Sequence, residues 1–253
     1  MAGRSRLDAL VVERGLATTR ARARALILAG QIQVNDSIQT KAGTAVAFDA
    51  RIALRVPDHP YVGRGGVKLS RALDRFGIGV QERSALDIGA STGGFTDAML
   101  QRGATLVVAL DVGRGQLDWK LRADPRVIPL EGINARHLSA AMLPDGFLPV
   151  DVVTVDVSFI SLRLVLPVIP PLLARDGDVL ALVKPQFEAT RAEVCKGGVI
   201  RDPAVRRRVI RQVIATADGV GLACVAATPA PRRDTNGNRE YFVHLRRAAT
   251  ASS

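Results

Sequence analysis

One segment of the chain predicts a strand, a tight loop and a helix in direct succession, and it constrains the fold more than any other. The apolar run Ser84–Ile88 is typical of a buried strand, and a loop of small residues follows it. From Phe95 to Arg102 apolar residues recur at helical spacing, and Gly103 is placed to end the helix. The glycines of the loop let backbone N–H groups and a helix N-terminus approach a ligand closely. The segment therefore indicates an α/β fold with a ligand site at the end of this strand.

The next strand predicts what kind of ligand this site takes. Residues Thr105–Asp111 form that strand, which ends in an acid about 22 residues after Gly89. In dinucleotide-binding folds an acid about 20 residues after the loop hydrogen-bonds a ribose, so we expect a cofactor that contains a ribose. The loop lacks the tight second glycine that a pyrophosphate needs, which favours S-adenosylmethionine, whose tail is an amino acid. A nucleotide-dependent redox enzyme and a turn without a ligand are the alternatives that the loop leaves open.

The predicted cofactor contacts comprise the loop, the acid of the second strand and two residues that follow later strands. They are Asp87, Gly89, Ala90, Ser91, Thr92, Gly93, Gly94, Phe95, Asp111, Asn134 and Asp156. Asp111 is assigned to the ribose hydroxyls. Asn134 follows the third strand, where such folds contact the adenine, and Glu131 is an equal candidate for that contact.

The charge of the chain indicates an anionic partner. The formal net charge is +11 and the pI is about 10.8, and nucleic acid is the commonest reason for such an excess of positive charge. A basic surface that contacts only water is the alternative. No apolar run reaches the roughly 20 residues that span a bilayer. The N-terminus does not resemble a signal sequence, and the two cysteines have no metal or disulfide spacing. We therefore expect a cytoplasmic monomer that binds no metal and no membrane.

The chain is predicted to contain two domains of unequal size. Residues 1–57 form a small α+β domain, residues 58–66 a linker rich in proline and glycine, and residues 67–253 a larger α/β domain. In the small domain one helix carries the apolar stripe of Leu7, Leu10 and Val11. A second helix, Arg20–Ala29, follows the capping residues Thr18 and Thr19.

The large domain is predicted to be a Rossmann-like, doubly wound sheet. A helix over 67–76 precedes it, and strands near 84–89, 105–111, 127–131, 150–157 and 178–184 alternate with helices. The last two strands, 222–227 and 240–247, are joined by a loop rich in proline, glycine and asparagine, so we expect them to pair antiparallel.

Basic residues of the small domain indicate an RNA contact. Arg20, Arg22 and Arg24 lie near the N-terminus of a helix, where cations oppose the helix dipole. This placement suggests that an outside anion, such as RNA phosphates, compensates them. Together with Arg4 and Arg6 they are the predicted RNA-binding residues. The segment resembles the S4 RNA-binding domain in its strings Arg6-Leu-Asp, Thr19-Arg-Ala-Arg-Ala and Gly30-Gln-Ile-Gln-Val-Asn.

Charged residues follow two apolar strands of the large domain. Asp156 ends the run Val152–Val155, and Lys184 ends the run Leu180–Val183 and is fixed by the proline after it. Ligands of open α/β sheets bind beyond the carboxyl ends of the strands, and an acid and a lysine can be buried there as a pair. A structural ion pair is the alternative for each residue alone.

Four charged residues resemble a known catalytic set. Lys68, Asp156, Lys184 and Glu240 are similar in order and context to the Lys-Asp-Lys-Glu tetrad of FtsJ-type 2′-O-ribose RNA methyltransferases, and most closely to the TlyA-type proteins. The supporting strings are 64–69, 87–95, 111–117, 156–162, 183–188, 197–202 and 237–242, which cover nearly the whole chain. The resemblance implies S-adenosylmethionine-dependent methylation of ribosomal RNA at a cytidine. Two alternatives remain: a haemolysin, as the other name of the family suggests, and a ribosome-binding protein that uses the fold as a scaffold.

The chemistry of the expected reaction assigns roles to these four residues. A hydroxyl that attacks a methyl group must lose its proton to a base. A lysine can be that base only in its neutral form, which burial or a neighbouring cation favours. We expect Lys184 to act on the 2′-hydroxyl, and Asp156 and Lys68 to hold Lys184 in place. Glu240 is expected to complete the ring of four charged side chains. Phe159 and Phe187 could stack on a flipped nucleotide, although core packing is the expected role of each. Arg232, Arg233 and Arg239 could contact the RNA backbone or only solvent.

Overall fold

The computed structural model describes residues 3–17, 19–54, 59–231 and 237–248. The chain divides into two compact units, Met1–Pro60 and Tyr61–Ser253. Among the residues that the structure describes, no helix is both long and apolar enough to cross a membrane.

The N-terminal unit consists of two helices and short antiparallel strands. Its elements are β1 (Arg4–Arg6), α1 (Leu7–Glu13), α2 (Arg20–Leu28), β2 (Ile32–Val34), β3 (Ser37–Gln39), β4 (Ala45–Ala47) and β5 (Ile52–Leu54). The predicted stripe of α1 is buried together with Ala23 and Ile27 of α2. The side chain of Thr19 accepts a hydrogen bond from the Arg22 N–H at 3.1 Å and caps α2 as predicted, whereas Thr18 lies outside the described residues.

The C-terminal unit contains a sheet between helices. Its elements are α3 (Arg64–Phe76), β6 (Ser84–Ile88), α4 (Gly94–Gln101), β7 (Leu106–Asp111), α5 (Trp119–Arg122), β8 (Val127–Glu131), β9 (Val150–Val155), β10 (Leu173–Val183), α6 (Pro185–Glu188), α7 (Pro203–Gly219), β11 (Leu222–Pro229) and β12 (Tyr241–Arg247). The strand order is β11-β12-β10-β9-β6-β7-β8. Strands β6 to β10 all run parallel to one another, whereas β12 is antiparallel to both β10 and β11. The predicted doubly wound sheet with an antiparallel final strand is confirmed.

Some connections differ from the sequence prediction. Helix α3 begins at Arg64, three residues before the predicted start, so Gly65 and Gly66 belong to its first turn. The segments before and after β9 contain short 3-10 helices, Ala135–His137, Ala140–Met142, Leu162–Leu164 and Leu166–Val168. Prolines interrupt these segments, and a proline has no N–H to continue an α-helix.

The sheet is buried on both of its faces. Leu86 and Ile88 of β6 pack into one apolar layer, while Ala85 packs into the other with Leu69 of α3 and Met99 of α4. Neighbouring residues of a strand point to opposite faces, so a strand that is covered on both sides is apolar throughout. A ligand can therefore enter at the carboxyl edge of the sheet, where the strands end and the polar residues begin.

Candidate active site

A cavity of about 530 Å³ opens at the carboxyl ends of β6, β7 and β9. Its lining includes these predicted cofactor residues: Gly89, Ser91, Asp111, Asn134 and Asp156. It also includes residues that sequence reasoning missed: Leu110, Val112, Gln116, Ile133, Ala135, Val157, Ser158 and Ile160. Most of these are small or apolar and lie one or two positions from a predicted contact, so proximity in sequence to the strand ends was the available signal.

Gly89 allows the ends of two strands to meet beneath the cavity. Its φ is +90°, and a Cβ at this position would lie 2.6 Å from the carbonyl oxygen of Asp156. The Asp156 N–H donates to the carbonyl oxygen of Ile88 at 2.9 Å, which joins the same two strands. A side chain at residue 89 would force β6 and β9 apart.

Asp111 is oriented by two backbone donors. Its Oδ2 accepts from the Ser91 N–H at 2.8 Å, and its Oδ1 accepts from the Gly113 N–H at 2.7 Å. Each carboxylate oxygen can accept a second hydrogen bond, so the group can still receive two hydroxyls from the cavity. Glu131, the alternative to Asn134, accepts from the Gly115 N–H and pairs with Arg122. Asn134, in contrast, lines the cavity.

Asp87 lies inside the fold and has no exposed surface. Its two oxygens accept hydrogen bonds from the hydroxyls of Thr96, at 2.7 Å, and Thr154, at 2.9 Å. Burial raises the pKa of Asp87 to about 6, against the opposing effect of the two threonines. Asp87 therefore has no exposed atom with which to make the direct cofactor contact that the sequence predicted. Asp87 supports the loop from within by joining β6, β9 and α4.

The remaining predicted loop contacts lie outside the lining of the cavity. They are Ala90, Thr92, Gly93, Gly94 and Phe95. A Cβ on Gly94 would lie 3.0 Å from the Gly66 nitrogen, so this glycine lets α4 pack against the start of α3. The ring of Phe95 packs on Phe242 with 5.9 Å between ring centroids. The first turn of α4 therefore packs against α3 and β12.

The predicted catalytic residues form two ion pairs. Lys184 Nζ lies 2.6 Å from Asp156 Oδ1 and donates to Ser158 Oγ at 2.9 Å. Lys68 Nζ, on α3, lies 2.5 Å from Glu240 Oε2. Between 11% and 27% of each of the four side chains is exposed, so both pairs are partly desolvated.

Strand register explains why these pairs lie at the same edge of the sheet. Val183 of β10 is opposite Tyr241 of β12, so the residues just beyond them, Lys184 and Glu240, stand at the same level. Ala181 is opposite Val155 of β9, and Asp156 follows directly. The sheet therefore brings together charges that are far apart in the sequence.

Phe159 lies on the rim of the cavity with 92% of its surface exposed. Its φ is +64°, and its ring lies 5.1 Å from that of Phe187 between centroids. The expectation that Phe159 packs in the core is wrong, because it is placed in a loop beyond the end of β9 where no layer covers it. Arg239 is exposed, and Arg232 and Arg233 lie outside the described residues.

Arginines of the N-terminal unit converge on a buried acid. Arg6, Arg20 and Arg24 lie 3.0, 3.2 and 3.1 Å from the carboxylate of Asp8, which has no exposed surface. The hydrogen bond from Arg6, with those from Arg24 and Arg20, holds the pKa of Asp8 well below its usual range despite burial. Asp8 of α1 therefore balances one of the three positive charges of Arg6, Arg20 and Arg24, so the outside anion that the sequence predicted is not the only compensating group.

The arginine cluster around Asp8 still faces solvent. The side chains of Arg6, Arg20 and Arg24 are 53%, 54% and 56% exposed. Arg4 donates to the Ala45 carbonyl oxygen at 2.9 Å, and Arg22 is half-buried on α2. Three guanidinium groups around one carboxylate leave a local excess of two positive charges.

Known proteins resemble this chain over nearly its full length. Residues 61–247 match the FtsJ-like methyltransferase family, and residues 5–52 match the S4 domain. The 16S/23S rRNA (cytidine-2′-O)-methyltransferase TlyA of Mycobacterium tuberculosis is 44% identical over 97% of this chain and 91% of its own. Hemolysin A of Brachyspira hyodysenteriae is 41% identical over 95% and 99%.

A solved structure shows the same architecture. A protein from Streptococcus thermophilus, described in its name as a candidate hemolysin, superposes with a TM-score of 0.75 at 38% identity and covers 99% of this chain and 90% of its own. The sheet order, the paired lysines and acids at its carboxyl edge and these similarities agree. The chain belongs to the FtsJ-like methyltransferase family, and within it to the group that contains the TlyA proteins.

Proposed function

We propose that this protein is an S-adenosylmethionine-dependent methyltransferase that modifies the 2′-hydroxyl of a cytidine in ribosomal RNA. One observation carries the proposal: Asp156 lines the cavity and also holds Lys184. The cavity and the charged edge are thereby joined through one side chain. The activity named for the relative from Mycobacterium tuberculosis supports the choice of substrate.

The groups that line the cavity fit the proposed cofactor. The Asp111 carboxylate has acceptor positions left for the two ribose hydroxyls, and Val112, Ile133 and Ala135 offer an apolar surface to a purine next to Asn134. When bound, S-adenosylmethionine supplies a methyl group activated by a sulfonium.

Lys184 is placed to act on the hydroxyl that accepts the methyl group. Lys184 Nζ donates to Ser158 Oγ and forms an ion pair with Asp156. When this amine is neutral, its lone pair can take the proton of the 2′-hydroxyl as the new bond forms. Glu240 fixes Lys68 by an ion pair, so Lys68 can direct its remaining donors toward the RNA.

Two further features suit an RNA substrate. Exposed Phe159 and half-buried Phe187 form an aromatic pair beside the cavity, and such rings can stack on a base that has left its helix. In the N-terminal unit, the arginine cluster around Asp8 offers half-exposed guanidinium groups to phosphates.

The proposed function is tested by methyl transfer from labelled S-adenosylmethionine to purified ribosomal subunits. We expect label in the RNA, removed by ribonuclease and located by nuclease mapping on the 2′-oxygen of a cytidine. Label that survives ribonuclease, or that lies on a base, would contradict the proposal.

Replacing Asp111 with asparagine is expected to weaken S-adenosylmethionine binding by about 10- to 100-fold, measured by calorimetry. The reason is that hydrogen bonds to a charged group contribute about 1.5–3 kcal/mol. Asp118→Asn is the matched control, because Asp118 caps α5 by accepting from the Lys120 N–H and lies outside the cavity lining. Equal affinities of the two variants would remove Asp111 from the site.

Replacing Asp8 with asparagine is expected to weaken RNA binding about tenfold, although it raises the net charge by one. The loss follows because the guanidinium groups of the arginine cluster must then be ordered on binding, at about 0.5–1.5 kcal/mol each. Asp36→Asn makes the same charge change at an exposed acid, whose partner Arg51 lies 3.9 Å away. Filter binding should show little change for this control. If Asp8→Asn binds RNA more tightly in line with its charge, the role of the cluster is refuted.

A further inference from the structure

Two sequence strings that resemble those of TlyA-type proteins, 197–202 and 237–242, are joined in the structure by one side chain. Asn238 Oδ1 accepts from the Ile200 N–H at 2.8 Å, and Asn238 Nδ2 donates to the Gly198 carbonyl oxygen at 2.7 Å. An amide suits this place because it carries both an acceptor and a donor. The side chain thus binds the backbone of the loop much as a neighbouring strand would.

The loop that Asn238 binds is itself anchored. The Cys195 N–H donates to the Val199 carbonyl oxygen at 3.1 Å, and this closes the loop at its base. Arg206, in the first turns of α7, donates to the carbonyl oxygens of Ile200 and Arg201, both at 2.9 Å. The hydrogen bonds of Asn238 therefore end on a segment that α7 holds in place.

Glu240 lies between this anchor and the sheet. Its carbonyl oxygen accepts from the Ala230 N–H at 2.9 Å, and β12 begins with the next residue. Asn238 and Glu240 are half-buried, whereas Arg239 between them is exposed. Alternation of this kind places Asn238 and Glu240 on one face of an extended segment. The segment is fixed by β11 on one side and by Asn238 two residues upstream.

We infer that Asn238 is a positioning residue for methyl transfer, acting by holding Glu240 against Lys68. The inference rests on the proposed function, because it assigns a task to the Lys68–Glu240 ion pair. Lys68 Nζ lies 2.5 Å from Glu240 Oε2, a contact that a small displacement of the segment would break. A misplacement of about 1 Å in an active site can cost on the order of 100-fold in rate. Without Asn238, the residues upstream of Glu240 lose both hydrogen bonds to the loop.

The first experiment compares Asn238→Ala with the wild-type chain. We expect faster hydrogen exchange of the Ile200 amide, a kcat for RNA methylation lowered about 10- to 100-fold, and a Kd for S-adenosylmethionine within twofold. The cofactor affinity is preserved because Asn238 is outside the cavity lining. Asp202→Ala is the matched control. This change removes the side chain that caps α7 by accepting from the Ala204 N–H at 2.7 Å. Asp202 is the last residue of the string 197–202, and its replacement should leave kcat near the wild-type value.

A double-mutant cycle separates positioning from general stability. In an E240Q background, adding N238A should lower kcat less than twofold, because the contact that Asn238 serves is already weakened. A loss as large as in the wild-type background would overturn the inference, as would a kcat within twofold of wild type for N238A alone. N238D keeps the acceptor for Ile200 but not the donor for Gly198, so it should fold and show an intermediate loss. A wild-type chain that transfers no methyl group to RNA would overturn the proposed function and this inference together.

Discussion

Replacing Lys184 with methionine is expected to lower kcat for RNA methylation by about 10³-fold. Methionine keeps most of the length of the side chain but can neither bind the 2′-oxygen nor accept its proton, and general base catalysis contributes typically 10²- to 10⁴-fold. Lys184 lies 2.6 Å from Asp156 and has only 11% of its side chain exposed. We therefore expect no other amine to reach this position and act in its place. The measurement is single-turnover transfer of labelled methyl to ribosomal subunits.

Two control measurements show whether the loss of activity is specific to Lys184. Lys120→Met removes a lysine from the exposed surface of α5 and should leave kcat unchanged. The affinity of Lys184→Met for S-adenosylmethionine should stay within about threefold, because Lys184 lies outside the lining of the cavity. Turnover within tenfold of wild type, with the cofactor bound normally, would exclude Lys184 as the base.

Replacing Asp178 with asparagine is expected to lower the free energy of unfolding of the C-terminal unit by about 3–5 kcal/mol. Asp178 is 3% exposed and accepts from Arg83 at 2.8 Å and Arg246 at 2.7 Å, and it lies 2.8 Å from His244 Nε2. These contacts join β10, β12 and the segment before β6. Removing one partner of a buried ion pair leaves the other charges uncompensated.

The effect of Asp178 also depends on pH. Burial alone would raise the pKa of Asp178, but hydrogen bonds from His244, Arg246 and Arg83 outweigh it and hold that pKa well below its usual range. A carboxyl with a lowered folded-state pKa stabilises the fold above its unfolded pKa, about 3.9, and this contribution is lost as the pH falls further. The difference between wild type and Asp178→Asn should therefore be full at pH 7 and shrink below about pH 4.

Urea denaturation monitored by fluorescence and circular dichroism measures this difference. Asp176→Asn is the matched control, because Asp176 is an exposed acid on the same strand and should change stability by less than about 0.5 kcal/mol. A loss below about 1 kcal/mol for Asp178→Asn at pH 7, or a difference from wild type that grows as the pH falls below about 4, would show that the buried cluster does not contribute as described.

Local sequence signals determined the elements of this fold. The run Ser84–Ile88, the loop after it and the stripe of α1 were recognisable because hydrophobic period and glycine placement act over a few neighbouring residues. The antiparallel final strands followed from a loop that could not hold a helix. Asp111, Asn134 and Asp156 line one cavity because each lies at or just beyond the end of a parallel strand, and such strands end at the same edge.

Tertiary structure alone decided which side chains meet. Asp87 belongs to the loop motif, yet it is buried between Thr96 and Thr154, and only the packing of α4 and β9 shows this. Arg6, Arg20 and Arg24 resembled unpaired cations until α1 brought Asp8 among them. The physical reason is that periodicity and turn preference depend on adjacent residues. Hydrogen bonds and ion pairs depend instead on distances between residues far apart in the chain, which exist only after the chain has folded.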